Sequence, residues 1–272
     1  IDILESHSLV TPWGSPSAPI VECKYKEQSF FFLPRHGVGH SIPPSKINYR
    51  ANIDALKKLG VTDVLSLSSV GSLNEDLSPG VFVVINQYVD FTKNRVPTFF
   101  EDDIVVHVSM ATPTDERLME ISRASLEKLD IEYNFGGSYI CIEGPQFSTK
   151  AESRLFQNWG CDVVGMTSMP EAKLCREASL RYVNIGMVTD FDCWHPDHEN
   201  VEVSNVISTL KGNAEDAKKF ILEFILNYSK STINNNLNSY DSLVTPKNKI
   251  KKDTVYKLKN IMPDLLKDLL KT

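Results

Sequence analysis

The chain of 272 residues contains no apolar run approaching the roughly 18 residues that a membrane-spanning helix needs, so no segment reads as membrane-embedded. It also lacks the cationic excess of a nucleic-acid-binding surface. Acidic residues outnumber basic ones and the net charge is −6, a balance that leaves room only for a local anion site. Cysteine is sparse and unpaired. Cys23, Cys141, Cys161, Cys175 and Cys193 are scattered, with no Cys-x-x-Cys among them. That argues against a disulfide scaffold or a zinc site and for reduced thiols in a cytoplasmic protein. No secretory leader is visible. The first residue is Ile1 and not Met, so the expectation is that a segment in front of it is missing. What is present, 42% hydrophobic and 24% charged residues, is the composition of an ordinary globular protein. The length suits one large α/β domain or two small ones.

The pattern alternates. Ala18 to Leu33 reads as two strands, Asn48 to Leu59 as a helix stopped at Gly60, and Val61 to Ser69 as a strand followed by a turn at Val70-Gly71-Ser72-Leu73. Further strands are expected at Val81 to Tyr88, Gly136 to Ile142 and Tyr182 to Val188. Helices are expected at Pro113 to Leu129, Lys150 to Trp159, Met169 to Ala178, and from Val203 to Phe224. This order predicts a single α/β domain over 1–228, with a twisted, mostly parallel central sheet flanked by helices. After Tyr228 the composition shifts to Ser, Asn and Lys, which predicts a polar, mobile linker over 229–252. Val255, Leu258, Ile261, Met262, Leu265, Leu266 and Leu269 then predict one amphipathic helix over 253–272.

Five strand ends carry candidate chemistry. Thr189-Asp190-Phe191-Asp192-Cys193-Trp194 follows a buried-looking strand and sets two carboxylates where open α/β sheets bind ligands. Buried carboxylates need a partner, such as a ligand amine or a ring nitrogen that takes a proton. The same stretch also suits an acidic loop capping the next helix. Arg35-His36-Gly37 offers a planar fork of donors suited to phosphate, or equally a surface Arg beside a structural His. Ser66 to Gly71 adds hydroxyls and backbone donors at a turn, and Gly165-Met166-Thr167-Ser168 leads into a helix N-terminus that favours an anion. Thr167 or Ser168 there also suits an ordinary N-cap. Phe147, in Glu143-Gly144-Pro145-Gln146-Phe147-Ser148, is placed to stack on a flat heterocycle or to pack in the core. Together these put anion donors, an aromatic ring and two acids at adjacent strand ends.

In combination, LPRHGVGHSIPPSKINYRANI, SSVGSL, IEGPQFSTKAES, WGCDVVGMTSMPEAKLCREA and TDFDCW resemble the trimeric purine nucleoside phosphorylases, nearest to the branch acting on 5′-methylthioadenosine. The resemblance covers roughly Ile3 to Tyr228. It implies a reversible phosphorolysis in purine and methionine salvage, giving adenine and 5-methylthioribose 1-phosphate. By carry-over, Arg35, His36, Ser68, the backbone at Ser69 and Thr167 hold phosphate. Met166 meets the ribose and Phe147 the purine face. Asp190 faces N7 and the exocyclic amine as the catalytic acid, and Asp192 supports the amine side. Val203, Val206 and Ile207 line the 5′-alkylthio pocket, and His107 reaches the neighbouring site of a homotrimer.

No metal or organic cofactor is implied; inorganic phosphate is a co-substrate. Relatives acting on inosine and guanosine carry Glu after the stacking Phe and Asn at the strand end. Ser148 and Asp190 stand there in this chain, which favours a 6-aminopurine. The family's opening strand and Gly-rich phosphate loop would precede Ile1. Two alternatives remain open from sequence: a phosphorylase for methylthioinosine, deoxyadenosine or adenosine, and a non-catalytic nucleoside-binding protein.

Overall fold

The computed structural model describes residues 1–195, 203–228 and 238–271, except for the side chains of 203–211. The strands are β1 (Asp2–His7), β2 (Ile20–Tyr25), β3 (Gln28–Phe32), β4 (Asp63–Ser72), β5 (Phe82–Ile85), β6 (Gln87–Phe91), β7 (Tyr133–Phe135), β8 (Ser138–Ile142), β9 (Val163–Gly165) and β10 (Arg181–Asp190). The helices are α1 (Tyr49–Lys58), α2 (Glu116–Lys128), α3 (Lys150–Asn158), α4 (Ser168–Glu177), α5 (Val203–Asn227), α6 (Lys252–Lys257) and α7 (Pro263–Lys271).

Local chemistry sets the helix starts. The side chain of Asn48 accepts from the Ala51 N–H at 3.2 Å, and that of Asp115 from the Leu118 N–H at 3.0 Å. Thr149 and Glu152 form a reciprocal capping box ahead of α3. Each such cap contributes about 1 kcal/mol. Gly60 and Gly160 follow α1 and α3 with φ of 82° and 73°, the left-handed conformation that ends helices most cheaply at glycine.

A seven-stranded sheet runs in the order β6-β8-β9-β4-β10-β5-β7, and β1-β2-β3 form a separate antiparallel sheet. Four of the six pairings in the large sheet are parallel; β4–β9 and β10–β5 are antiparallel. Both faces are covered, so β5 is a continuous apolar run and β10 is buried along nearly its whole length rather than on alternate residues. Phe82, Val84, Val183 and Ile185 pack with Leu118, Leu126, Phe220 and Phe224 of α2 and α5. Val83, Ile85, Tyr182 and Val188 point the other way, into the core shared with Ile53, Leu56, Ala172 and Leu174 of α1 and α4.

Three expectations are corrected. Val70 to Ser72, read as a turn, continue β4, because the strand pairs with β10 as far as Gly71 and with β9 at Gly71 and Ser72. The final helix over 253–272 is two short helices, α6 and α7, the second beginning at Pro263, whose missing N–H suits a helix start. The described half of the 229–252 linker is docked on the body. His107 N–H donates to the Ser242 carbonyl at 3.1 Å, and Val244 N–H to the Val105 carbonyl at 2.9 Å. Ile250, Val255, Leu258, Ile261, Met262 and Leu265 are buried in the main core. Polar composition hid that docking, because the few apolar residues carry it.

Candidate active site

The parallel pairing of β4 with β10 creates the site. Its register sets Ser66 beside Asn184 and Ser68 beside Gly186, then shifts between Val188 and Asp190 so that Asp190 lies beside Gly71. The carboxyl ends of both strands therefore reach one edge, where α/β sheets take ligands. A cavity of about 450 Å³ opens there. Arg35, His36, Ser68, Ser69, Phe147, Met166, Thr167, Asp190 and Asp192 all line it. Residues from five chain segments thus meet in one space. His107 does not line this cavity and is exposed. Val203, Val206 and Ile207 lie outside the residues whose side chains are described.

At the basic end, Arg35 Nη1 donates to both carboxylate oxygens of Glu171, at 2.7 and 2.9 Å, and to Ser66 Oγ at 2.9 Å. Its Nη2 donates to the Leu67 carbonyl and, at 3.4 Å, to Ser68 Oγ. Burial alone would lower the guanidinium pKa, but the Glu171 charge together with the surrounding Tyr182, Tyr49 and Tyr139 outweighs it and holds the group firmly protonated. Glu171 also accepts from Ser66 Oγ and Tyr182 Oη, each at 2.8 Å. Ser68 Oγ lies 3.1 Å from Thr167 Oγ1, and Asn184 Nδ2 donates to the hydroxyls of Ser66 and Ser68 at 3.1 and 3.0 Å. His36 Nδ1 is 2.9 Å from the Ile42 carbonyl, which leaves Nε2 as its second polar atom. Burial lowers the His36 pKa, and its ring stacks on that of His40 at 4.0 Å.

The acidic end differs in kind. Asp190 Oδ2 accepts from Thr189 Oγ1 at 2.7 Å, and Oδ1 from the Asp192 N–H at 2.8 Å. Burial pushes the Asp190 carboxyl up despite those bonds. Asp192 is 5% exposed, and burial, reinforced by the neighbouring Asp190 charge, pushes its carboxyl up to about 6. Phe147 is 46% exposed over the same space, so its ring face is free for a flat partner and is not spent on the core. The arrangement can hold an oxyanion at one end and, at the other, donate a proton or accept from an amine.

Three contributors escaped the sequence reading: Glu171 and Asn184 as support of the Arg35 cradle, and His40 as part of the wall; Ser66, read as an anion-site hydroxyl, instead braces Arg35 and Glu171. Glu171 sat within a quoted motif, but its partner is 136 residues away and nothing local pairs them. Among the described residues one group has spacing for a metal, Glu5, His7 and Glu22, and it lies on β1 and β2, off the cavity.

The chain is similar to known proteins in both sequence and fold. The profile of the phosphorylase superfamily matches residues 2–226. An S-methyl-5′-thioadenosine phosphorylase of Rhodospirillum rubrum is 50% identical over 224 residues, 81% of this chain and 76% of the relative. One of Bradyrhizobium diazoefficiens is 51% identical over 211 residues, covering 78% and 72%. A crystal structure of a methylthioadenosine phosphorylase from an Antarctic soil metagenomic library superposes with a TM-score of 0.90 at 41% identity, covering 95% of this chain and 92% of the other. The Schistosoma mansoni methylthioadenosine phosphorylase in complex with adenine gives 0.81 at 38% identity, covering 83% and 86%.

Proposed function

The chain belongs to the phosphorylase superfamily, and on that footing we propose that it is a pentosyltransferase catalysing the reversible phosphorolysis of 5′-methylthioadenosine. The observation that carries this reading is one cavity with an oxyanion cradle around Arg35 at one end and the Asp190–Asp192 pair at the other. In the forward reaction the bond from C1′ to N9 of the purine breaks and a phosphate oxygen forms the new bond to C1′.

As the old bond stretches, the ribosyl ring becomes positive and the purine negative. Phosphate held by Arg35, His36, Ser68, the Ser69 backbone and Thr167 stabilises the first charge from below C1′. Asp190 neutralises the second by giving its proton to N7, a role supported by the upward displacement of its carboxyl through burial. Asp192 accepts from the exocyclic amine. Phe147 stacks on the base, and Met166 meets the ribose. Acceptors facing position 6 favour adenine over a 6-oxopurine, which would bring an acceptor against an acceptor. Val203, Val206 and Ile207 are assigned to the methylthio pocket on resemblance to the family. This chemistry asks for no metal or organic cofactor, and phosphate is consumed as a substrate. His107, exposed and off its own cavity, fits a contribution to a neighbouring site in a trimer.

The test is adenine release from 5′-methylthioadenosine, followed with and without phosphate. Release that depends on phosphate, with methylthioinosine a poor substrate, is the expected result. No phosphate-dependent release would end the enzymatic reading, and equal turnover of methylthioinosine would end the assignment of the acids to the amine. Sedimentation at equilibrium separates a trimer from a monomer.

A further inference from the structure

Arg95, in the loop after β6, belongs to no motif and does not line the cavity, yet its guanidinium is the bolt between three of the cavity's walls. Its side chain is 2% exposed. Nη2 donates to the carbonyls of Ile142 and Glu143 at 3.3 and 2.6 Å, at the end of β8 just before the turn that carries Phe147. Nη1 donates to the carbonyls of Met166 and Met169 at 2.7 and 2.5 Å, on the segment between β9 and α4. Nη1 also donates to Tyr49 Oη at 3.0 Å, and that hydroxyl donates to the carbonyl of Pro44, a residue of the third wall, at 3.2 Å. Nε donates to the Glu143 carboxylate at 3.2 Å. The same carboxylate accepts from the N–H groups of Lys93 and Asn94 at 2.6 and 3.1 Å, locking the loop that supplies the arginine.

The separation of those segments has little slack. Gly144 has φ of 66°, and a Cβ there would lie 2.6 Å from Met166 Sδ. Burying a guanidinium is costly unless its donors are met, and here all three of its nitrogens are engaged. Only a planar fork spans these acceptors. The single nitrogen of a lysine cannot face Glu143 and Met166 on opposite sides at once.

We propose that Arg95 is a positioning residue: it fixes the spacing between the Phe147 turn and the Met166 segment, and so sets the fit of the nucleoside without touching it. The proposal rests on the phosphorylase reading of the cavity. Most of the Arg35 cradle is held by a separate network through Glu171, and only Thr167 lies on the clamped segment, so the larger effect falls on the nucleoside and a smaller one on phosphate.

The experiment varies 5′-methylthioadenosine and phosphate in turn for the wild type, Arg95→Gln and Arg95→Lys, and titrates adenine calorimetrically into each. The expected result is a rise of about tenfold in the nucleoside KM and in the adenine Kd for both variants, with a smaller rise, up to about threefold, in the phosphate KM through Thr167. Parallel rises in both KM values, or restoration by lysine, would overturn it. Should the Arg95 variants fail to fold, Glu143→Gln decides: a rise of about threefold in the nucleoside KM, larger than any in the phosphate KM, supports the bolt, and an equal change in both KM values, or none, overturns it. A wild type that binds adenine but shows no phosphorolysis would sink the enzymatic reading alone, and the calorimetric arm would still judge Arg95.

Discussion

The two ends of the cavity handle charge in opposite ways. At the basic end Arg35 arrives with its counter-ion: Glu171 takes it in bidentate fashion, and Ser66, Tyr182 and Asn184 complete the support. That end is neutralised internally. At the other end, Asp190 and Asp192 face the cavity with hydrogen bonds but no cation among their described partners, and both carboxyls are pushed up by burial. The lesson is a division of labour. A cradle for a dianion must already be rigid, whereas a proton donor must be kept reluctant to ionise.

The sharpest way to break the contrast is to remove the cation from the self-neutralised end. Arg35→Met leaves Glu171 buried and uncompensated, and denaturant unfolding should report a loss of about 3–5 kcal/mol, as for other broken buried pairs. Adding Glu171→Leu should recover much of that loss, and a single variant as stable as wild type would show that the pair is not what holds the cradle. At the acidic end, Asp190→Asn should leave stability nearly unchanged and cut kcat roughly a hundred- to ten-thousand-fold, with phosphate KM unaltered.

The third prediction concerns pH. A carboxyl raised on folding contributes stability that is fully present below its unfolded pKa of about 3.8 and is lost as pH climbs through about 6. Stability of the protein without substrate should therefore fall by about 2 kcal/mol from this group between pH 4 and 7, and Asp192→Asn should flatten that slope in chemical denaturation. An unchanged slope would mean that the acidic end is solvated after all. The smallest effect is expected of Phe147→Ala, about 1–3 kcal/mol in adenine binding by calorimetry, with phosphate binding intact.

Much of this contrast was legible in the chain itself. The acids, Arg35-His36 and Thr167 stand at or just past strand ends that local periodicity reveals, Ser68 lies within β4, and the cavity gathers them all. Partners were not legible. Glu171 and Arg35 are 136 residues apart, and Arg95 meets Met166 across 71 residues, so their pairing follows from sheet order and not from any spacing. The continuation of β4 through Gly71 was missed for a related reason. A glycine between serines reads as a turn until a strand on each side claims its backbone. β1 gave no sequence signal because most of its residues are exposed, and its ladder to β2 is supplemented by the contacts of His7 with Glu22 and Phe31.

Gly71 carries an evolutionary consequence. A methyl group at that position would lie 3.0 Å from Asp190 Oδ1 and 3.3 Å from the Asp192 Cβ. Drift toward another nucleobase therefore cannot proceed by enlarging this neighbour, nor by swelling the acids into it. It must pass through exchanges of equal shape, aspartate for asparagine, which a single codon change supplies. Descendants of this chain would change their diet one atom at a time.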